Sequence, residues 1–189
     1  IVFASTAAAY GDVDELPIKE TAAVKPQSFY GLSKVTVEQY LDLYQRFFGL
    51  EYMVLRFSNV YGERQGDGGE GGVISIFTKR IAAEQPITIY GDGEQTRDFI
   101  YAGDVAAGIW GALQAADVNM VCNLSTQTEV SLNELIGILT NVAGRKIQPV
   151  YGPDRAGDIK HSMLSNGRAK KYLEWKPRMS LEEGLQRTY

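Results

Sequence analysis

One cysteine and one histidine are all that 189 residues hold of the side chains that most often bind zinc or form disulfides. Cys122 thus has no partner for an internal bridge, and a Cys/His zinc site is not available. Its setting, Val121-Cys122-Asn123-Leu124, reads as a buried strand position. No carboxylate cluster points to another kind of metal site, and none is expected. No apolar run approaches the ~20 residues that span a bilayer, and no signal-peptide pattern opens the chain. The expected compartment is the cytoplasm. Positive charge is also short: 19 Lys and Arg stand against 23 Asp and Glu, a formal charge of -4. That balance argues against a nucleic-acid surface, which needs a basic patch or stripe. It leaves a phosphorylated small molecule open, because one or two placed arginines suffice to hold one.

What is present is enough apolar material for a sizeable core, 44% of the chain. Ile1-Val2-Phe3-Ala4 reads as a buried strand already under way, and the chain is therefore expected to be a fragment. Ser28 opens a helix that runs to about Phe48, where Gly49 ends it. Val37, Tyr40, Leu41, Tyr44 and Phe48 recur on it at spacings of three and four, an apolar stripe for either the sheet or a second subunit. Strands are predicted over 51–60, 87–90, 99–101, 121–124 and 147–150. Helices are predicted over 73–84, from an Asp104 cap to about Ala116, and after the capping-box spacing of Ser131 and Glu134. Two short helices flank Pro177. Strands alternating with helices imply an α/β fold with a largely parallel sheet. Such sheets bind ligands beyond the carboxyl ends of their strands, which directs attention to the loops after Ala4, Asn59 and Leu124.

The segment from Gly66 to Gly71 matches G-x-G-x-x-G by letter, but Asp67 and Glu70 would repel a pyrophosphate, and no strand leads directly into it. It reads as an ordinary loop. Tyr30 and Lys34 differ. Four residues apart at a helix start, they share one face. A nearby ammonium favours phenolate over phenol, which would make Tyr30 a usable base. Taken alone, the pair is a weak signal that chance often produces, and an exposed aromatic beside a surface charge is its commoner meaning.

The surroundings of that pair decide between these readings. Phe3-Ala4-Ser5-Thr6-Ala7-Ala8-Ala9-Tyr10-Gly11 precedes Pro26-Gln27-Ser28-Phe29-Tyr30-Gly31-Leu32-Ser33-Lys34. Then come Leu55-Arg56-Phe57-Ser58-Asn59-Val60-Tyr61-Gly62, Gly91-Asp92-Gly93-Glu94-Gln95-Thr96-Arg97-Asp98-Phe99-Ile100 and Arg155-Ala156-Gly157-Asp158. In this order, across almost the whole chain, they resemble the extended short-chain dehydrogenase/reductases, the NAD-dependent epimerase/dehydratase family, and within it the UDP-sugar 4-epimerases. The resemblance implies a parallel-sheet Rossmann-type fold whose glycine-rich NAD fingerprint lies upstream of these blocks, so no glycine here is assigned to the pyrophosphate. It divides the chain into 1–60 and 101–126 on the cofactor-binding sheet, 61–100 as a substrate-binding segment, and 127–189 as a C-terminal substrate-binding subdomain.

By the same resemblance the cofactor is NAD, the substrate a UDP-hexose or UDP-N-acetylhexosamine, and the assembly a homodimer. Tyr30 is implied as the base, and Thr6 as the group that holds the reacting oxygen. Lys34 is implied to assist Tyr30 and to contact the nicotinamide ribose, with Ser58 beside the cofactor. On the substrate side the implied residues are Asn59, Val73, Ile74, Thr88, Tyr90, Arg97, Arg155, Asp158 and Ser162. Arg97 and Arg155 are suited to phosphates, or to ordinary salt bridges with Asp98 and Asp154. Ser162 would border the sugar's C2 substituent, or simply cap a turn. Three functions stand open: a 4-epimerase, a sugar-nucleotide dehydratase or decarboxylase, and a non-catalytic binding protein. Ala7 and Ala8 replace the acid that follows the threonine in the dehydratases, which favours the first.

Overall fold

The computed structural model describes residues 1–66, 72–155 and 159–189. Strand β1 (Val2–Thr6) passes through a one-turn 3-10 helix at Ala7–Ala9 into an irregular stretch, and helix α1 (Phe29–Phe48) follows. The helix begins where expected because the Ser28 hydroxyl accepts from the Gly31 amide. It stops because Gly49 turns left-handed at φ 68°, its amide bonding back to Gln45 and Tyr44. Strands β2 (Met53–Phe57) and β3 (Asn59–Tyr61) come next, then helix α2 (Val73–Ala82) and strands β4 (Thr88–Tyr90), β5 (Thr96–Arg97) and β6 (Phe99–Tyr101). Helix α3 (Ala102–Gln114), strands β7 (Met120–Leu124) and β8 (Val130–Ser131), and helix α4 (Leu132–Ala143) complete the alternation. The tail holds β9 (Val150–Gly152), α5 (Gly167–Tyr172) and α6 (Leu181–Thr188).

Parallel strands in the order β1-β2-β7 form the main sheet, with Ser5 opposite Arg56 and Leu55 opposite Cys122. Smaller pairs join β3 to β6 and β4 to β9 in parallel, and β5 to β8 antiparallel. Four apolar clusters form among the described residues, two of them large. One gathers Met53, Leu55, Cys122 and Leu124 of the sheet under Val105, Leu173 and Trp175. The other gathers Ile74, Phe77 and Ile81 of α2 with Ile89, Phe99, Leu135 and Leu139. Cys122 is fully buried in β7, as its apolar setting predicts, and burial pushes its thiol pKa up to about 12. Ser131 and Glu134 form both halves of their capping box.

Two expectations need correction. Asp104 does not cap α3; Tyr101 holds that position. Asp104 is buried in the first turn, where its carboxylate accepts from the amides of Arg178 and Met179 and its carbonyl from the Trp175 indole. It ties the tail to α3, a role that sequence spacing does not encode. The tail strand forms at Val150–Gly152 rather than 147–150, since its place is set by pairing with β4. Of the two readings of the α1 stripe, core packing holds for Leu41 alone of its five residues; Val37, Tyr40, Tyr44 and Phe48 are exposed. The G-x-G-x-x-G match lies outside the described residues beyond Gly66.

Candidate active site

Two cavities border the apolar cluster that α2 builds. The larger, about 450 Å³, is lined by Ser5 and Thr6 of β1, Tyr30 of α1, Phe57 through Tyr61, Gln65, Gly72 to Ile74, and Phe99. It opens at the carboxyl ends of β1 and β2, the position that parallel sheets reserve for ligands. The smaller, about 340 Å³, is walled by Phe77, Arg80, Thr88, Tyr90, Gln95, Arg97, Leu132 and Arg155, among others. Asn59 and Val73 line both, so the cavities adjoin.

Local structure explains how Tyr30 reaches Thr6. Thr6 ends β1 and its hydroxyl accepts from the Ala8 amide, starting the 3-10 turn. Gly31 lets the start of α1 rest on that turn, because a Cβ there would stand 2.6 Å from the Ala8 carbonyl. Tyr30, 45% exposed, faces the cavity with a hydroxyl that makes no hydrogen bond among the described residues. One turn along, Lys34 donates from Nζ to the Ala4 carbonyl at 3.1 Å, with its ammonium 5.8 Å from the Tyr30 ring centroid. Lys34 is thus tied to β1 and is not among the described lining residues of either cavity.

Of the other residues singled out from the sequence, Ser58, Asn59, Val73 and Ile74 line the larger cavity. Asn59, Val73, Thr88, Tyr90, Arg97 and Arg155 line the smaller. The Ser58 hydroxyl donates to Asp98 at 3.3 Å, so only its lone pairs face outward. Arg155 stacks its guanidinium 3.8 Å from the Tyr90 ring centroid, and Arg97 donates to the Thr96 carbonyl at 2.7 Å. Ser162 is half-buried and is not among the described lining residues of either cavity. Asp158 lies outside the described residues.

Several lining residues escaped the sequence reading: Gln65, Arg80 and Gln95 carry no spacing signal. Asp98 escaped it too. This fully buried carboxylate receives five donors: Ser58 Oγ, Thr126 N, Thr126 Oγ1, Gln127 N and Leu164 N. Its own carbonyl accepts from the Asn59 amide at 2.9 Å, so the wall shared by both cavities hangs on it.

A parallel sheet whose strand ends meet a Tyr-x-x-x-Lys helix matches the Rossmann-type fold of the extended short-chain dehydrogenase/reductase class. Comparison with known proteins agrees. Residues 1–125 match the NAD dependent epimerase/dehydratase family, and the chain belongs to it. A putative UDP-glucose 4-epimerase of Methanocaldococcus jannaschii is 45% identical over 188 residues, 99% of this chain and 61% of the relative. Among solved structures, UDP-glucose 4-epimerase of Thermotoga maritima with UDP-glucose superposes at TM-score 0.95 with 42% identity. That match covers 99% of this chain and 61% of the other. A Thermus thermophilus UDP-glucose 4-epimerase in complex with NAD gives 0.87 at 36% identity, over 99% and 61%. The chain therefore spans about 61% of the length of these relatives.

Proposed function

We propose that the full-length protein carrying this chain is an NAD-dependent 4-epimerase of a UDP-sugar, working through a transient 4-keto sugar. One observation carries the reading. Thr6 and Tyr30 open onto one cavity, and this adjoins a second whose wall holds Arg97 and Arg155. A pair of hydroxyls beside an arginine-lined pocket suits a sugar joined to a diphosphate.

In this reading Tyr30 removes the proton from the sugar's 4-hydroxyl, and Thr6 holds that oxygen by a hydrogen bond. NAD, when bound, supplies acceptance and return of a hydride. The residues present fit that cofactor: among the described residues the Tyr30 hydroxyl is unengaged, and Lys34 spends one of its three N–H donors on Ala4, leaving two for ribose hydroxyls. Ser58, which has given its proton to Asp98, could accept from the cofactor. Asn59, Arg97 and Arg155 would hold the diphosphate region, and Asp158 the uridine ribose. Val73, Ile74, Thr88 and Tyr90 would flank base and sugar, with Ser162 toward the C2 substituent. Ala7 and Ala8 stand where a dehydratase needs an acid, so water loss lacks its catalyst. The exposed Tyr40, Tyr44 and Phe48 on α1 support a homodimer.

The test is product analysis after incubating the full-length protein separately with UDP-glucose, UDP-galactose and their N-acetyl forms. Interconversion of C4 epimers with no net reduction of NAD is expected. Tyr30→Phe should lower turnover by roughly 10²–10⁴-fold while UDP-sugar affinity is largely kept. A deoxy-keto or pentose product, or an unimpaired Tyr30→Phe variant, would overturn the reading.

A further inference from the structure

We propose that Glu38, paired with Arg56, is a positioning residue for this reaction centre: it holds helix α1 and the end of strand β1 in the one relative placement that the chemistry uses. The inference rests on the reading of Thr6, Tyr30 and Lys34 as that centre. Residues 30, 34 and 38 are spaced by four and share one face of α1. All three turn toward β1. Tyr30 shares the cavity with Thr6, Lys34 bonds the Ala4 carbonyl, and Glu38 accepts from the Ser5 hydroxyl. Ala4, Ser5 and Thr6 are consecutive, so a single helix face is matched in order against a single strand end.

Glu38 also takes both prongs of the Arg56 guanidinium, Nε to Oε1 at 3.0 Å and Nη2 to Oε2 at 2.5 Å. Arg56 is on β2, directly opposite Ser5 in the parallel register. The two side chains therefore close a clamp around three elements: β1, β2 and α1. The clamp is buried, with the arginine and glutamate side chains only 4% and 10% exposed. The remaining nitrogen, Nη1, has no hydrogen-bond partner among the described residues, and the guanidinium lies 4.6 Å from the ring centroid of Tyr10, which is fully buried.

A buried ion pair is a poor way to gain stability, since apolar side chains of like volume often serve as well or better. What it adds is direction. Two parallel hydrogen bonds fix both angle and distance between helix and sheet, whereas apolar surfaces tolerate sliding. Thr6 adjoins Ser5 in sequence and Lys34 lies one turn from Glu38, so a slip at the clamp moves the reacting groups together. A misplacement of about 1 Å can cost ~10²-fold in rate.

The test uses the full-length enzyme, with kcat and KM measured well below the unfolding temperature and normalised to bound NAD. Glu38→Gln alone strands a buried cation and loses stability together with rate, so two other variants decide. The double variant Glu38→Leu, Arg56→Met removes both charges and the tether to Ser5. It should unfold near the wild-type temperature yet lose about 10–100-fold in kcat with KM little changed. Arg56→Lys keeps the charge and loses the fork, and should also lower kcat at unchanged KM. A wild-type kcat in either variant would reduce the clamp to packing and overturn the proposal. Tyr30→Phe run alongside separates the two readings. If it is impaired while the clamp variants are not, the clamp inference fails alone. If Tyr30→Phe is unimpaired, the reaction-centre reading has failed first.

Discussion

Replacing Asp98 by asparagine isolates a carboxylate that accepts five hydrogen bonds among the described residues. One oxygen of the carboxylate receives Thr126 N at 2.9 Å, Thr126 Oγ1 at 2.7 Å and Ser58 Oγ at 3.3 Å. The other receives Gln127 N at 3.1 Å and Leu164 N at 3.4 Å. An amide offers one acceptor and turns an NH₂ toward whatever faces its other side. The less costly orientation keeps the three bonds on the first oxygen and sets Nδ2 against the Gln127 and Leu164 amides. A hydrogen bond to a charged group contributes ~1.5–3 kcal/mol, and a stranded buried donor costs ~1–3 kcal/mol. The Leu164 contact is long and counts at the low end, so the expected loss is about 3–4 kcal/mol. Urea unfolding of Asp98→Asn and wild type, with the slope unchanged, measures it. Thr126→Val is the control; it removes one bond to the carboxylate but strands no donor, so it should cost about 1.5–3 kcal/mol, less than Asp98→Asn. A loss below about 1 kcal/mol for Asp98→Asn would refute the count of bonds to this carboxylate. The Asn59 backbone hangs from the same residue, so KM for the nucleotide sugar should rise in step.

Ser162→Tyr should suppress epimerisation of N-acetylated UDP-sugars relative to the plain pair, because a filled space costs an acetamido group more than a hydroxyl. The ratio of kcat/KM values for the two pairs measures this, and an unchanged ratio removes Ser162 from the C2 pocket. Glu134 and Glu183 are held below their ordinary pKa of 4.5, Glu134 first by the Ser131 amide and Glu183 first by the Ser180 hydroxyl. A lowered carboxylate contributes stability that is present above 4.5 and lost as pH falls through the folded-state value. Glu134→Gln with Glu183→Gln should therefore flatten the acid side of a stability profile and leave its slope above pH 6 alone; an unaltered acid side contradicts the caps. Tyr44→Glu with Phe48→Glu should convert a homodimer to monomers in light scattering, and a retained dimer would place the interface elsewhere.

Much of the fold was legible because its signals are local. A hydroxyl at Ser28 or Ser131 meets amides three residues on, and Gly49 accepts the left-handed turn. These bonds close within one helical turn, so residue order decides them. The pairing of Tyr30 with Lys34 belongs here too, since four residues of helix bring both to one face. Glu38 was within reach of the same argument, one more turn along, but nothing local says that a glutamate on that face meets an arginine rather than water.

Tertiary structure alone decided where the buried charges go. Glu38 reaches Ser5 and Arg56 across 33 and 18 residues, and Asp98 finds its donors 28 to 66 residues away. Asp104 left the role of cap for amides in the tail, and β9 formed where β4 offered a partner. Periodicity showed an apolar stripe on α1 but could not say what it faces, because a pattern of spacing records which residues share a side and not what is packed against it. A polar group must be satisfied wherever the chain's packing buries it, and that place is a property of the whole fold.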